Sequence, residues 1–197
     1  MLLCGPSQVG KSHLILEIVK DSKRIFEEDL TQIVYVSPCA NITDFKYVRD
    51  LSFACKEAGK KLVVREIPPK VSEIKEIFPH GSICLILDDL TSFSSFPLNL
   101  AELSSFHSHH AGITCIYSVQ NPYQKIGKLD LVTVCRNLTA RFIFYQTNDF
   151  RLFYTLNAQL FPERKGYLVS CLLTARAAFN CSYVLINTHP RSTLPRR

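Results

Sequence analysis

Apolar runs of strand length alternate with stretches of helical periodicity along this 197-residue chain. "MLLC" (Met1–Cys4) reads as a strand, followed by a glycine-containing turn and a helix from about Lys11 to Ser22. "QIVYVSP" (Gln32–Pro38) predicts a second strand, a helical pattern covers about Phe45 to Glu57, and "KLVVREI" (Lys61–Ile67) predicts a third strand. A short helix near Val71–Ile77 precedes the strand Ile83–Leu87, and a helix near Leu98–Phe106 precedes the strand Ile113–Val119. "TARFIFYQ" supplies a strand at Ala140–Tyr145, with helices at about Phe150–Leu160 and Gly166–Ala175 and a last strand at Ser182–Asn187.

Strands apolar at every position, such as "CLIL", are expected to be buried on both faces, as in a helix-covered parallel sheet. Alternating strands and helices favour an α/β architecture. There is no internal repeat and no low-complexity segment, so residues 1–197 read as one domain.

Composition changes this picture little. A 47% share of hydrophobic residues suffices for one sizeable core. No apolar run reaches the roughly 18 residues of a membrane span, and no secretory pattern opens the chain, so no membrane partner is expected. The eight cysteines show no C-x-x-C pairing and several sit inside apolar runs, as small hydrophobes do. A reducing intracellular setting, cytoplasm or nucleus, is the expectation.

Charge adds more. Residues 1–135 are nearly balanced, whereas residues 136–197 hold nine Lys/Arg against two Asp/Glu. A strongly basic segment suits an anionic partner, although a solvated basic surface accounts for the charge equally well.

The sharpest motif is "GPSQVGKS". Gly5, Pro6, Ser7, Gln8, Val9, Gly10, Lys11 and Ser12 fit G-x-x-x-x-G-K-[ST] between a predicted strand and a predicted helix. Gly5 and Gly10 permit backbone conformations that a Cβ resists, letting successive N–H groups curl round phosphate oxygens at a helix N-terminus. Lys11 reaches the β- and γ-phosphates in such a loop, and Ser12 offers its hydroxyl to Mg²⁺. Average residue usage produces this pattern by chance about once in 10⁴ positions. Nucleotide binding, with ATP and Mg²⁺ as cofactors, is therefore expected.

Two strand ends complete the candidate chemistry. "ICLILDDL" is an apolar strand ending in two carboxylates. Beside a phosphate loop, Asp88 would hold Mg²⁺ directly or through its water, and Asp89 could polarise the attacking water. The spacing suits a subclass with an extra strand between the loop strand and the acidic strand. "ITCIYSVQN" ends with Gln120, which reaches the γ-phosphate if its strand neighbours that of Asp88. Zinc ligation by His80, His107, His109 and His110 is disfavoured, because no metal-ligand spacing is present.

Together these stretches resemble the FtsK–HerA superfamily, and more narrowly the genome-packaging ATPases of double-jelly-roll viruses and Maverick/Polinton elements. "GPSQVGKS", "LILDDL", "SSFHSHHAGITCIYSVQNPY", "VCRNLTARFIFYQTNDFR", "NAQLFP" and "SYVLINTHP" carry the resemblance, in order, over most of the chain. It implies a three-layer P-loop NTPase with an additional strand, a hexameric ring as in those relatives, and Mg-ATP hydrolysis coupled to movement of double-stranded DNA. Contacts to DNA would fall on phosphates and ignore sequence, and capsid or portal-vertex proteins would be partners. Gly5, Gly10, Lys11 and Ser12 would hold nucleotide, Asp88 and Asp89 serve Mg²⁺ and water, and Gln120 act as sensor. Arg136, or else Arg141 or Arg151, would be the finger reaching a neighbour's γ-phosphate. Many relatives carry Glu where Asp89 stands.

The resemblance also implies that relatives extend upstream of the loop strand, so either a minimal motor core or a sequence that starts late is expected here. Two other readings remain open: an assembly or secretion ATPase acting on protein, and a nucleotide-binding module with little turnover. Lys125, Gly127 and Lys128 make a basic, glycine-containing segment that suits a pore loop or an ordinary exposed turn.

Overall fold

The computed structural model describes residues 1–39, 46–77, 82–93, 100, 103, 112–123, 125–126, 129–146 and 150–188. Nine strands are described: β1 (Leu2–Cys4), β2 (Gln32–Val36), β3 (Lys61–Arg65), β4 (Ile83–Leu87), β5 (Ile113–Val119), β6 (Lys125–Ile126), β7 (Leu129–Asp130), β8 (Ala140–Phe144) and β9 (Tyr183–Asn187). The described helices are α1 (Lys11–Lys20), α2 (Ser22–Ile25), α3 (Lys46–Glu57), α4 (Val71–Ile77), α5 (Leu131–Arg136), α6 (Phe150–Leu160) and α7 (Tyr167–Ala178).

Seven strands form one sheet in the order β3-β2-β4-β5-β1-β8-β9. All its pairings are parallel except β8 with β9, which is antiparallel. β5 lies between β1 and β4, the additional strand that the sequence spacing anticipates.

Alternation along each strand sends side chains to opposite faces, and both faces are covered. Leu3, Ile33, Tyr35, Ile86 and Ile116 pack with Ile15, Ile18 and Val19 of α1 and with Leu51 and Ala54 of α3. Leu2, Cys4, Val36, Leu85, Leu87, Tyr117 and Ile143 pack on the other face with Leu131 and Val134 of α5, Phe153 and Leu156 of α6, and Leu168 and Leu172 of α7. β4, buried along its whole length, sits where both layers close over it. The result is a three-layer α/β domain, as the strand–helix alternation predicts.

Most boundaries agree with the sequence reading to within a few residues. The short helices α2 and α5 and the antiparallel ribbon β6–β7 were not anticipated. α5 is too short for its periodicity to stand out, and it follows the ribbon without an intervening turn signal. The helix expected at Leu98–Phe106 lies outside the described residues apart from Leu100 and Leu103, both buried in the core. Among the described residues no helix is long and apolar enough to cross a membrane. All eight cysteines are free.

One buried polar residue ties the α6–α7 connection. Asn157 is 4% exposed; its carbonyl accepts from the Leu168 backbone N–H at 2.8 Å, and its amide donates to the Arg164 carbonyl at 2.8 Å and the Phe161 carbonyl at 3.4 Å. Asn157→Ala orphans those groups and is expected to lower unfolding free energy by about 1–3 kcal/mol. A urea titration showing no shift in midpoint would contradict this.

Candidate functional site

The chain turns from β1 into α1 through residues 5–10, and the geometry separates the roles of the two glycines. Gly5 continues the sheet ladder, its N–H donating to the Val119 carbonyl at 3.1 Å. A Cβ placed on Gly5 would lie 2.6 Å from the Cβ of Phe144 on β8. Space is therefore the reason for glycine at position 5. At Gly10 the reason is conformation, since φ is 97° in the left-handed region. Gln8, with φ 64°, takes the same region without being glycine.

Lys11 begins α1, and its ammonium folds back to donate to the Gly5 carbonyl at 2.8 Å and the Pro6 carbonyl at 2.7 Å. Burial lowers its pKa from the usual lysine value, while the negative charge of Asp88 acts in the opposite direction. Ser12, next on α1, points its hydroxyl at Asp88 Oδ2 across 3.4 Å.

Asp88 follows β4 and is 7% exposed. Besides Ser12, its carboxylate accepts from the Tyr35 hydroxyl at 2.9 Å and from the Asp89 backbone N–H at 3.0 Å. Three donors converging on one carboxylate fix its orientation toward the loop. Tyr35 comes from the neighbouring β2 and is fully buried, its ring against that of Tyr47 at 5.5 Å. Burial first, and then the Asp88 charge, push the Tyr35 phenol far above its usual pKa, so it remains a proton donor.

Asp89 adopts φ 50°, ψ 50° and caps a short 3₁₀ turn over Leu90–Ser92, and the Ser92 hydroxyl donates to its carboxylate. Gln120, one residue beyond β5, directs its amide at the Ser7 hydroxyl across 3.4 Å. The loop, Gln120 and the Asp88–Asp89 pair thus stand at the carboxyl ends of three adjacent parallel strands, where open α/β sheets bind ligands.

The donor set fits a magnesium nucleotide. The Ser12 hydroxyl and Asp88 carboxylate are hard oxygen donors facing each other, and Mg²⁺ characteristically takes one or two such groups and completes its shell with phosphate and water. The close approach at Gly5 and the left-handed turn at Gly10 shape the backbone of the loop, on whose Gly5 and Pro6 carbonyls the Lys11 ammonium rests.

The candidate fingers separate. Arg141 is 6% exposed and donates from Nη2 to the Cys135 carbonyl at 2.7 Å, so it cannot extend to a neighbouring molecule. Arg151 is exposed on α6, and Arg136 is the last residue of α5. His80, His107, His109, His110, Gly127 and Lys128 lie outside the described residues.

Tyr35 is the site residue that the sequence reading missed. In "QIVYVSP" it looks like one more apolar strand position. The usable signal was that a hydroxyl on a central strand must find a partner when buried.

Tyr35→Phe keeps the ring packing and removes one donor from a buried carboxylate, for an expected loss of about 1.5–3 kcal/mol in unfolding free energy. Denaturant titration reads it, and an unchanged midpoint would remove the hydroxyl from the account. Gly5→Ala is expected to displace the loop and cost about 1–3 kcal/mol through overpacking. Truncating Phe144 to Ala cannot relieve that clash, because its Cβ remains; recovery in the Gly5→Ala/Phe144→Ala double variant would refute the steric argument.

No protein-family model and no curated protein sequence matches the chain. Among solved structures, the chain is similar to the genome packaging NTPase B204 of Sulfolobus turreted icosahedral virus 2, solved in complex with ATP-gammaS. That likeness has a TM-score of 0.51 at 16% identity, covering 97% of this chain and 92% of that one. Thermomonospora curvata EccC (ATPases 2 and 3), solved with a signal sequence peptide, aligns over 73% of this chain but 29% of its own, at 13% identity and a TM-score of 0.47. The ATP synthase subunit NeqB of Nanoarcheaum equitans aligns over 74% of this chain and 45% of its own, at 12% identity and a TM-score of 0.47. With its loop between β1 and α1, its acidic pair after β4 and β5 between them, this chain has the three-layer α/β fold of the P-loop NTPases.

Proposed function

We propose that this chain is the ATPase subunit of a ring motor that moves double-stranded DNA, of the FtsK–HerA genome-packaging type. The observation that carries the reading is the convergence of Lys11, Ser12, Asp88, Asp89 and Gln120 at adjoining strand ends. Support for packaging in particular comes from a likeness to a genome packaging NTPase that spans nearly the whole of both chains, together with the motifs by which the sequence resembles that group.

In this reading Mg-ATP, when bound, supplies the phosphoanhydride and a divalent charge that offsets the phosphates. The backbone N–H groups of residues 7–12 would donate to phosphate oxygens, and the Lys11 ammonium, now on the Gly5 and Pro6 carbonyls, would turn to them. Ser12 and Asp88 would hold the metal. Asp89, steadied by Ser92, accepts the proton of the attacking water. Gln120 reports the γ-phosphate to the loop through Ser7. Arg136 of one subunit completes its neighbour's site, with Arg151, exposed on α6, the other candidate.

A ring gives the remaining features a role. Among the described residues β9 is one of the two edges of the sheet, and Leu185 on it is 48% exposed, with Phe179 shortly before it 76% exposed, an edge that favours association over isolation. The basic residues of 136–197 suit contact with DNA phosphates, and such contact is insensitive to sequence. Capsid or portal-vertex proteins are the corresponding assembly partners.

The test is phosphate release measured against protein concentration, with and without linear double-stranded DNA. Turnover should rise with both. Lys11→Ala should reduce it to background. Arg136→Ala should retain nucleotide binding while slowing hydrolysis in the assembled state, by up to roughly 10³–10⁵-fold for a true finger. Hydrolysis indifferent to DNA and to concentration would defeat the motor reading, and normal turnover in Arg136→Ala would move the finger elsewhere.

A further inference from the structure

One hydroxyl of β5 has no part in the site so far. Ser118 is fully buried, and among the described residues its Oγ has no hydrogen-bond partner. A buried hydroxyl without a partner is uncommon and calls for a physical explanation. Other buried hydroxyls on the same layer are engaged: Ser22 donates to Asp29 at 2.8 Å, and Tyr35 to Asp88 at 2.9 Å.

Strand register places Ser118. It pairs with Leu3 of β1, while Tyr117 before it pairs with Leu87 of β4. Ser118 therefore stands beside Asp88, one strand spacing of about 4.8 Å away along the backbone. Partners in a parallel ladder share a face, and Leu3 packs with Ile15, Ile18 and Val19 of α1. The Asp88 carboxylate lies on that face too, since it meets Ser12 of α1 and the Tyr35 hydroxyl. α1 follows β1 and Asp88 follows β4, with β5 between those strands. The 3.4 Å approach of Ser12 to Asp88 thus passes over β5, and the residue of β5 at that level is Ser118.

A carboxylate offers about four lone-pair positions. Asp88 uses three, accepting from Ser12 and Tyr35 on Oδ2 and from the Asp89 N–H on Oδ1. One acceptor position and one orphaned donor therefore occupy neighbouring places in the same layer.

We propose that Ser118 is a positioning residue for the metal: when Ser12 and Asp88 hold Mg²⁺, the Ser118 hydroxyl donates to the Asp88 carboxylate and fixes it on the cation. The inference rests on the nucleotide reading of the loop. A cation between Ser12 and Asp88 draws the carboxylate toward α1, over β5 and onto Ser118. Burial of the hydroxyl is no obstacle, because its partner is another buried side chain and not a molecule arriving from solvent.

Calorimetric titration of ATPγS, in EDTA and in Mg²⁺, tests this on the unaltered protein and on Ser118→Ala. Mg²⁺ should tighten binding to the unaltered protein. Ser118→Ala should remove most of that tightening, up to about tenfold, as loss of a hydrogen bond to a charged group does. Its affinity in EDTA should stay within about twofold. Its urea midpoint without nucleotide should hold or rise, because a methyl suits a buried position whose hydroxyl bonds nothing, the opposite of Tyr35→Phe. Absence of binding to the unaltered protein in both conditions would defeat the nucleotide reading and this inference with it. Binding that Mg²⁺ fails to tighten, or tightens equally in both proteins, would overturn the inference alone. So would equal weakening in EDTA and in Mg²⁺, or a lowered urea midpoint in Ser118→Ala, either of which marks a packing role.

Discussion

A parallel strand in the middle of a sheet must satisfy hydrogen-bonding groups on both sides, and here β5 does so with β1 on one side and β4 on the other. That pairing sets the rest. Leu87 aligns with Tyr117, and Cys4 with Val119, so β5 projects two residues beyond the end of β4 while β1 ends level with it. Gln120 consequently emerges between the phosphate loop and the acidic pair. Ser12 reaches Asp88 from α1 across the intervening strand, at 3.4 Å. The ladder bond from Gly5 to the Val119 carbonyl fastens the loop to the same strand.

Buried polar groups mark what the sheet is built to hold. Asp88, Lys60 and Asn157 are each engaged by more than one partner, and each joins two elements that apolar packing would leave free to slide. Asp88 with Tyr35 fixes the acidic strand end against β2; Lys60 with Asp29 fixes the start of β3; Asn157 fixes the α6–α7 turn. Arg141 departs from this pattern, since among the described residues its Nη1 has no hydrogen-bond partner and it joins no ion pair.

Much of the architecture was legible in the sequence because its signals are local. Fully apolar strands such as Ile83–Leu87 can only be central, and the glycine-lysine-serine loop can only sit at a strand-to-helix turn. Across-sheet information was not legible. Nothing near Tyr35 in the chain announces that its hydroxyl ends on a carboxylate 53 residues away, and the steric demand at Gly5 comes from Phe144, on a strand formed much later in the chain. Likewise Arg141, grouped by its charge with accessible arginines, is withdrawn from the surface by the pairing of β8 with β1. Short elements escaped for another reason: α5 and the β6–β7 ribbon offer too few residues for a period to declare itself.

The acidic pair carries its own local logic. Asp89 occupies the left-handed region, which few non-glycine residues tolerate and in which Asp and Asn are enriched, because a short polar side chain can bond nearby groups. Its carboxylate does so, accepting from Ser92 at the far end of the same 3₁₀ turn. A glutamate, the commoner residue there in the group that the sequence resembles, has a longer arm and loses that compact arrangement. The shorter acid is then a consequence of the backbone: the chain turns sharply after Asp88 so that its own amide can cap that carboxylate at 3.0 Å, and the residue making the turn must be one that accepts a positive φ. Reach surrendered by the side chain is set instead by where the turn puts its Cα. The second carboxylate is thereby tied to the orientation of the first, and the two act as one unit rather than as independent groups.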